Sequence, residues 1–266
     1  MDSFPGPIVD VEWLHDHLDA VTVVDVRPQH LFHRGHLPGA ASSQLARVPM
    51  ESSSDQVVAR WGEGVLAALE MVGASRNQPL VFYEDYSGAD AARAVWAAET
   101  LGFGKVAMLD GGLMAWAAAA YPITTDSELP KRTRLEWVGV GRQYIGAQDI
   151  AGSSNRAALS MQIVDTRSKA EWASGTIPGS IHFEWSRTLE PDGRFRPLVD
   201  IAKELAAEGI NVTSSDQIVT FCGSGYRSAH VYVLLTALGC ENARNYAPSW
   251  SEWTSRPDTP VVQPGR

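Results

Sequence analysis

One stretch organises the rest of the chain, Val219-Thr220-Phe221-Cys222-Gly223-Ser224-Gly225-Tyr226-Arg227-Ser228. Its apolar start is typical of a buried strand, and residues 229–238 predict a helix that begins as the loop closes. Cys222 would then lie where backbone N–H groups and the positive end of a helix dipole converge, which favours a thiolate over a thiol. The stretch therefore predicts a nucleophilic cysteine at the mouth of a domain, surrounded by inward-pointing amides.

The loop after Cys222 has the residues that an anion-binding site needs. Gly223 and Gly225 permit backbone angles that turn N–H groups inward, and Arg227 supplies a positive charge. A buried structural cysteine is the common alternative for an isolated residue of this type, but it does not account for the glycines and the arginine. We expect the substrate to be bound by Gly223, Gly225, Tyr226, Arg227 and Ser228.

Length and charge limit the class of protein. The chain has 266 residues, 44% of them hydrophobic and 20% charged, which is typical of a globular protein with two domains. Its formal net charge of −9 argues against a nucleic-acid partner. Most of the 22 basic side chains lie in residues 126–266, so the part that contains Cys222 is the better place for a small anion.

The sequence predicts a cytoplasmic protein without a membrane segment. No apolar run reaches the roughly 18 residues of a membrane span. The first residues, Met1 to Pro5, have neither the basic nor the apolar region of a signal peptide. Cys222 and Cys240 are too few for a disulfide scaffold, in agreement with a reducing compartment, and Cys240 is expected to be structural. We expect no metal, because His30 and His33 have no accompanying cysteine or carboxylate cluster.

An internal repeat relates the two halves of the chain. The matching pairs are V-V-D-V-R at 23–27 with I-V-D-T-R at 163–167, L-P-G-A at 37–40 with I-P-G-S at 177–180, and L-V-F-Y-E at 80–84 with I-V-T-F-C at 218–222. Where the second half has Cys222, the first has Glu84 followed by Asp85, which is not a nucleophile and would repel an anion. The repeat therefore predicts two related domains, of which only the second has a site.

Apolar strand segments alternate with helical segments in both halves, which predicts the α/β class. In the first half, for example, a strand is predicted at 80–83 between helices predicted at 57–72 and 91–101. We expect two tandem domains, each a parallel sheet with helices on both faces. The predicted boundaries are residues 1–125 for a domain without the cysteine, 126–136 for a linker rich in Pro, Thr and charge, and 137–266 for the catalytic domain.

These features together resemble the tandem-domain rhodanese family of sulfurtransferases. The resemblance covers nearly the whole length and includes three further segments, L-D-G-G at 109–112, P-D-G-R-F at 191–195 and S-W-S-E-W at 249–253. It implies that the Cys222 thiolate takes the outer sulfur of a small anionic donor, thiosulfate or 3-mercaptopyruvate, and becomes a persulfide. The persulfide would then pass its sulfur to cyanide, a small thiol or thioredoxin, with no cofactor.

The loop favours 3-mercaptopyruvate over thiosulfate as the donor, without excluding either. Gly223 and Ser224 stand where thiosulfate-type members of the family usually carry basic side chains. Arg227 departs from the usual mercaptopyruvate pattern, however, and returns one positive charge to the loop.

The resemblance also implies roles for residues outside the loop. Ser224, Asp25 and His36 would form a proton relay, and Arg167 would bind the carboxylate or sulfonate of the donor. Asp25 and Arg167 each have a counterpart in the other half, so a structural role is the alternative for both, whereas His36 has none. The second anion-binding arginine of the family cannot be placed, and the candidates are Lys169, Arg187, Arg194 and Arg196.

Two other classes of protein remain as alternatives. Cysteine-dependent phosphatases and arsenate reductases share the strand, cysteine, loop and arginine, but they place the arginine one position further along the loop. A non-catalytic regulatory module of the same fold is the second alternative, and the intact loop at Cys222 argues against it. The sequence does not decide the oligomeric state.

Overall fold

The computed structural model describes residues 4–152, 161–213 and 217–264. Of the stretch considered above as a signal peptide, Met1 to Ser3 therefore lie outside the described residues. The chain forms two compact units. Unit 1 consists of the residues up to Pro49 with Ala59–Gly141 and Leu189–Phe195, and unit 2 of Met50–Val58, Arg142–Thr188 and the residues from Arg196 onward.

Unit 1 contains one five-stranded parallel sheet in the order β1-β5-β4-β2-β3. Its strands are β1 (Ile8–Val9), β2 (Thr22–Asp25), β3 (Ala41–Ser42), β4 (Leu80–Tyr83) and β5 (Val106–Leu109). Its helices are α1 (Val11–His17), α2 (Gln29–Phe32), α3 (Asp55–Met71, which begins in unit 2), α4 (Ala89–Thr100) and α5 (Gly112–Ala118).

Both faces of this sheet are covered. Val81 and Tyr83 of β4 join a core cluster that also contains residues of α1, α2 and α5. The alternate residues Leu80 and Phe82 point to the other face and are equally buried, and α4 packs on β4 and β5. Strands buried at every position have no polar alternation, which is why they appear in the sequence as continuous apolar runs.

Unit 2 repeats the arrangement with four parallel strands in the order β7-β6-β8-β9. The strands are β6 (Met161–Asp165), β7 (Ser180–His182), β8 (Gln217–Phe221) and β9 (Asn242–Asn245). The helices are α6 (Ala147–Gly152), α7 (Lys169–Ser174), α8 (Leu198–Ala207), α9 (Tyr226–Ala237) and α10 (Ser249–Ser255). The predicted fold class, two tandem α/β domains with parallel sheets, is therefore confirmed.

The units differ from the predicted domain boundaries in three places. Met50–Val58 belongs to unit 2 and Leu189–Phe195 to unit 1, although each lies within the other half of the sequence. The predicted linker 126–136 belongs to unit 1, where the N–H groups of Thr133 and Leu135 donate to Glu70 of α3 at 3.2 and 2.8 Å. A composition rich in Pro and Thr indicates irregular structure, and it does not indicate that the segment is detached.

Within the described ranges, with their gaps at 153–160 and 214–216, no helix is both long and apolar enough to cross a membrane.

Candidate active site

The loop that begins at Cys222 lies at the carboxyl end of β8, where β8 stops at Phe221 and α9 starts at Tyr226. Gly225 immediately precedes the helix with φ of 85°, a left-handed conformation that costs a residue with a side chain roughly 1–2 kcal/mol. Glycine at this position lets the chain turn from strand to helix within four residues, 222–225. The first turn of α9 consequently faces the cysteine.

Several donors converge on the Cys222 thiol. The Gly225 N–H lies 3.1 Å from Sγ and the Ser228 hydroxyl oxygen 3.5 Å from it. Burial alone raises the pKa of the Cys222 thiol, but the Ser228 hydroxyl, the N–H groups of Ser228 and Ser224, and the charge of Arg227 outweigh it, so the pKa lies below its ordinary value. The expected inward-pointing amides are present, and they favour a thiolate.

The thiol is more enclosed than the sequence suggested. Cys222 is 1% exposed, although a position at the mouth of the domain was expected. The neighbouring Gly225 and Ser228 are also buried, whereas Ser224 is exposed. Contact of the loop's own backbone with the sulfur accounts for the enclosure, since the same N–H groups that stabilise the anion also cover it.

Asn245, at the end of β9, fixes the loop and was not found from the sequence. It is fully buried, its Oδ1 accepts the Ser228 hydroxyl at 2.7 Å, and its Nδ2 donates to the Gly225 carbonyl at 3.2 Å. The one hydroxyl proton of Ser228 is shared between the shorter contact to Asn245 and the longer contact to the Cys222 sulfur. Ser228 is thereby held beside the sulfur by a neighbouring strand.

The start of α10 fixes the backbone of the cysteine itself. The Cys222 N–H donates to Ser249 Oγ at 3.1 Å, and the Trp250 N–H donates to the Cys222 carbonyl at 3.0 Å. The Ser251 N–H donates to the Gly223 carbonyl at 3.1 Å. The S-W-S-E-W segment was noted in the sequence as part of the resemblance. Its role in holding the loop is visible only in the structure.

Arg227 is not a free cation. Its two terminal nitrogens donate to the two carboxylate oxygens of Glu171 on α7 at 2.7 and 2.8 Å. Hydrogen bonds from Arg227 first, and then from Ser168, lower the pKa of Glu171 to about 2. Glu171 is not among the site residues predicted from the sequence. Ser168 and Glu171 form a capping box at the start of α7, and their S-x-x-E spacing does not reveal a second partner such as Arg227.

The contacts of Arg167 support the structural alternative over its expected role in binding the donor. It is 1% exposed, and its Nε and Nη2 donate to the carboxylate of Asp165, itself fully buried. Nη2 also donates to the Gly175 carbonyl at 2.7 Å, and the guanidinium lies 4.1 Å from the ring centroid of Trp250. The guanidinium thus joins the end of β6 to the turn that contains Gly175.

The same arrangement in unit 1 explains Asp25. Its carboxylate accepts the backbone N–H, Nε and Nη2 of Arg27, and Arg27 Nη2 also donates to the Gly35 carbonyl at 2.8 Å. An aspartate that joins strand and turn in both units is a structural element of the repeat. The contacts therefore support the structural alternative for Asp25 over the proton relay.

The remaining two relay candidates have different surroundings. His36 is buried in unit 1, where its Nδ1 lies 2.9 Å from the Phe32 carbonyl, its Nε2 lies 3.2 Å from the Asp126 carbonyl, and its ring stacks on Phe32. Both ring nitrogens thus face backbone carbonyls of their own unit. Ser224 has an exposed side chain and contributes its backbone N–H toward Cys222.

In the corresponding loop of unit 1, the carboxylate of Glu84 lies at the helix N-terminus, where an anion would bind. Glu84 follows β4 as Cys222 follows β8, and its Oε1 accepts the N–H groups of Asp90 and Ala91, both at 2.9 Å, in the first turn of α4. Asp85 is paired with Arg27 at 2.9 Å. The prediction that this half has no nucleophile agrees with these contacts, and its helix N-terminus is already occupied by its own side chain.

Replacing Glu84 by Gln is expected to stabilise unit 1 at pH 8 by about 2–3 kcal/mol and to have no effect near pH 4. Burial raises the pKa of Glu84 to about 7, above the value of 4.5 for the unfolded chain. The stability that this group contributes is therefore present below pH 4.5 and is lost as the pH rises through 7. Gln keeps the oxygen acceptor and has no proton to lose. Calorimetric unfolding of both proteins at the two pH values measures the difference.

The matched control is Glu63→Gln, an exposed glutamate of α3, which should change stability at neither pH. Equal stability of wild type and Glu84→Gln at pH 8 would contradict the prediction, because ionisation of Glu84 would then not destabilise unit 1.

Comparison with known proteins agrees with this geometry. A family model described as a rhodanese-like domain matches residues 10–119 and 150–256. A thiosulfate sulfurtransferase of Azotobacter vinelandii is 30% identical over 264 residues, 90% of each chain. The sulfur carrier protein TtuD of Thermus thermophilus is 27% identical over 291 residues, 98% of each chain. The anaerobic ergothioneine biosynthesis enzyme from Chlorobium limicola, solved with trimethyl histidine, has a TM-score of 0.81 at 20% identity, covers 98% of this chain and 71% of its own, and supports the fold alone.

The family model matches both halves, and in unit 2 the strand β8, the cysteine loop and the helix α9 follow one another directly. The chain is a tandem-domain member of the rhodanese family of sulfurtransferases.

Proposed function

We propose that the protein moves sulfane sulfur from a small anionic donor to a thiophilic acceptor through a persulfide on Cys222. The observation that carries the proposal is the set of donors around the Cys222 sulfur, with the Gly225 N–H at 3.1 Å and the Ser228 hydroxyl at 3.5 Å. A persulfide is an anion at nearly the same place, so the same donors would stabilise it.

Two displacements at sulfur make up the reaction. The Cys222 thiolate attacks the outer sulfur of the donor, a new S–S bond forms, and the old bond to that sulfur breaks with its electron pair on the leaving group. Thiosulfate releases sulfite, and 3-mercaptopyruvate releases the enolate of pyruvate, which takes a proton from solvent. An acceptor such as cyanide then attacks the terminal sulfur, leaves as thiocyanate and regenerates the thiolate. No proton-transfer step is assigned to Asp25 or His36, because their contacts lie within unit 1.

We propose 3-mercaptopyruvate as the preferred donor and thiosulfate as the second. Gly223 and Ser224 bring no cation to the loop, and Arg227 is paired with Glu171, so the loop has no unpaired positive side chain for a dianion. A preference for thiosulfate is the second candidate, since the Azotobacter vinelandii relative is a thiosulfate sulfurtransferase. As acceptors we propose cyanide in the assay, and a small thiol or thioredoxin in a reducing cytoplasm.

The test is a comparison of the two donors on the purified protein. We expect a gain of one sulfur, about 32 Da, in the intact mass after either donor. We expect thiocyanate formation with a higher kcat/KM for 3-mercaptopyruvate. No mass gain with either donor contradicts the proposal, and a higher kcat/KM for thiosulfate favours the second candidate.

A phosphatase activity is less well supported by the site. A tetrahedral oxyanion needs a loop that wraps around it, whereas here three residues, Gly223 to Gly225, separate Cys222 from the helix and contact the sulfur directly. Hydrolysis of a phosphate ester by the purified protein would support that alternative. A regulatory module without catalysis is distinguished by the absence of turnover after a single sulfur has been bound.

A further inference from the structure

We propose that Glu171 determines donor specificity by holding Arg227 in a neutral ion pair beside Cys222. This inference rests on the proposed sulfurtransferase function and concerns the same site. Glu171 would act as a positioning and specificity-determining residue. It contacts the one basic side chain of the loop and, in the contacts described, not the sulfur itself.

The geometry of the pair is that of a strong interaction. Two parallel hydrogen bonds of 2.7 and 2.8 Å join the guanidinium of Arg227 to both oxygens of Glu171, the bidentate arrangement that orients arginine most firmly. The Ser168 N–H and hydroxyl donate to Glu171 Oε2 at 3.0 and 2.8 Å, so the carboxylate is itself fixed. Arg227 therefore has one defined orientation at the start of α9.

The orientation places the charge of Arg227 against the cysteine loop. Arg227 Nη2 lies 3.2 Å from the position that a Cβ on Gly223 would occupy, so a side chain there would meet the guanidinium. The charge of Arg227 also helps to lower the pKa of the Cys222 thiol. Side chains of the pair are partly exposed, 28% for Arg227 and 40% for Glu171, so an incoming anion experiences both charges.

A neutral pair affects the two donors differently. Thiosulfate carries two negative charges, whereas 3-mercaptopyruvate with a protonated thiol carries one. The carboxylate of Glu171 repels the dianion more strongly than the monoanion, and it also competes with either for the guanidinium. Loss of the negative charge at residue 171 should consequently favour thiosulfate.

Glu171 also caps α7, and this purely structural role needs to be separated from specificity. Glu171→Gln achieves this, because Gln at the same helix position still completes the capping box with Ser168 while the charge is lost. Ser168→Ala is the matched control, since it weakens the cap but keeps the backbone N–H bond to Glu171, its charge and its two bonds to Arg227. Glu171→Asp keeps the charge on a shorter side chain and tests for rescue.

The experiment measures kcat and KM with both donors for wild type and the three variants, together with their melting temperatures. We expect Glu171→Gln to raise the ratio of kcat/KM for thiosulfate to that for 3-mercaptopyruvate by about tenfold, mainly through a lower KM for thiosulfate. Ser168→Ala should lower the melting temperature and keep the ratio within about twofold of wild type. Glu171→Asp should restore most of the wild-type ratio.

An unchanged ratio in Glu171→Gln, or an equal change in Ser168→Ala, overturns the inference and leaves the proposed function intact. If wild-type protein gains no sulfur mass from either donor, the proposed function fails and this inference fails with it.

Discussion

Cys222→Ser is expected to abolish sulfur transfer from both donors, with the rate of thiocyanate formation reduced about a thousandfold or more. A serine hydroxyl at this position remains protonated near neutral pH and cannot store a sulfane sulfur. The change is nearly isosteric, so the Gly225 N–H still has an acceptor and the loop should keep its shape. Intact mass after donor treatment checks the result directly, since wild type should gain about 32 Da and the variant nothing.

Cys240→Ser provides the control, because Cys240 lies beyond the far end of α9 from Cys222. Cys240 is buried and follows the end of α9, a helix of 12 residues that separates it from the cysteine loop by about 1.5 Å per residue. The two thiols are therefore too far apart for a disulfide. This variant should keep both the mass gain and the turnover. A mass gain in Cys222→Ser, or loss of turnover in Cys240→Ser, would contradict the assignment of Cys222 as the sole nucleophile.

The strands and long helices could be predicted because their signal is local. The apolar run of β4 is buried on both faces, and the predicted strand at residues 80–83 coincides with it. Helices predicted at 57–72 and 91–101 are found as Asp55–Met71 and Ala89–Thr100, within two residues at each end. The short strands Ala41–Ser42 and Ser180–His182 were not predicted, because two or three residues do not establish a periodicity.

The sequence located the nucleophile but not the residues that position it. Cys222 and its loop are contiguous, so their chemistry can be read from the sequence. Asn245, Ser249 and Glu171 reach the loop from three other elements, and each has an ordinary local explanation as a strand end, a turn or a helix cap. Only the packing of those elements shows that they meet at the loop.

The internal repeat bears on the role of Arg167. The resemblance assigned this arginine to the donor, whereas its counterpart Arg27 occurs in a half that has no nucleophile. A residue present in both halves is more economically explained by what the halves share, which is the fold. The structure supports this explanation, since both guanidinium groups donate to the aspartate two positions earlier and to a turn glycine carbonyl.

Asp165→Ala is therefore expected to destabilise unit 2 by about 3–5 kcal/mol, because it leaves the charge of Arg167 buried without its negative partner. Asp165 is fully buried and accepts hydrogen bonds from the backbone and side chain of Arg167 and from the Thr176 hydroxyl at 2.8 Å. Calorimetry is the suitable measurement, since the two compact units need not unfold in one transition. If the alanine variant does not fold, Asp165→Asn keeps an oxygen acceptor and should show a smaller loss.

Asp258→Ala is the matched control, because it removes an arginine partner at the surface of the same unit. Its carboxylate lies 2.7 Å from Arg256 and is 57% exposed, so solvent replaces the lost contact and stability should change little. Arg167→Lys then separates the two roles of the arginine. A lysine cannot reproduce the fork between Asp165 and the Gly175 carbonyl, so unit 2 should be less stable while the folded protein keeps a KM within about twofold of wild type. A large rise in KM without loss of stability would instead indicate that Arg167 binds the donor.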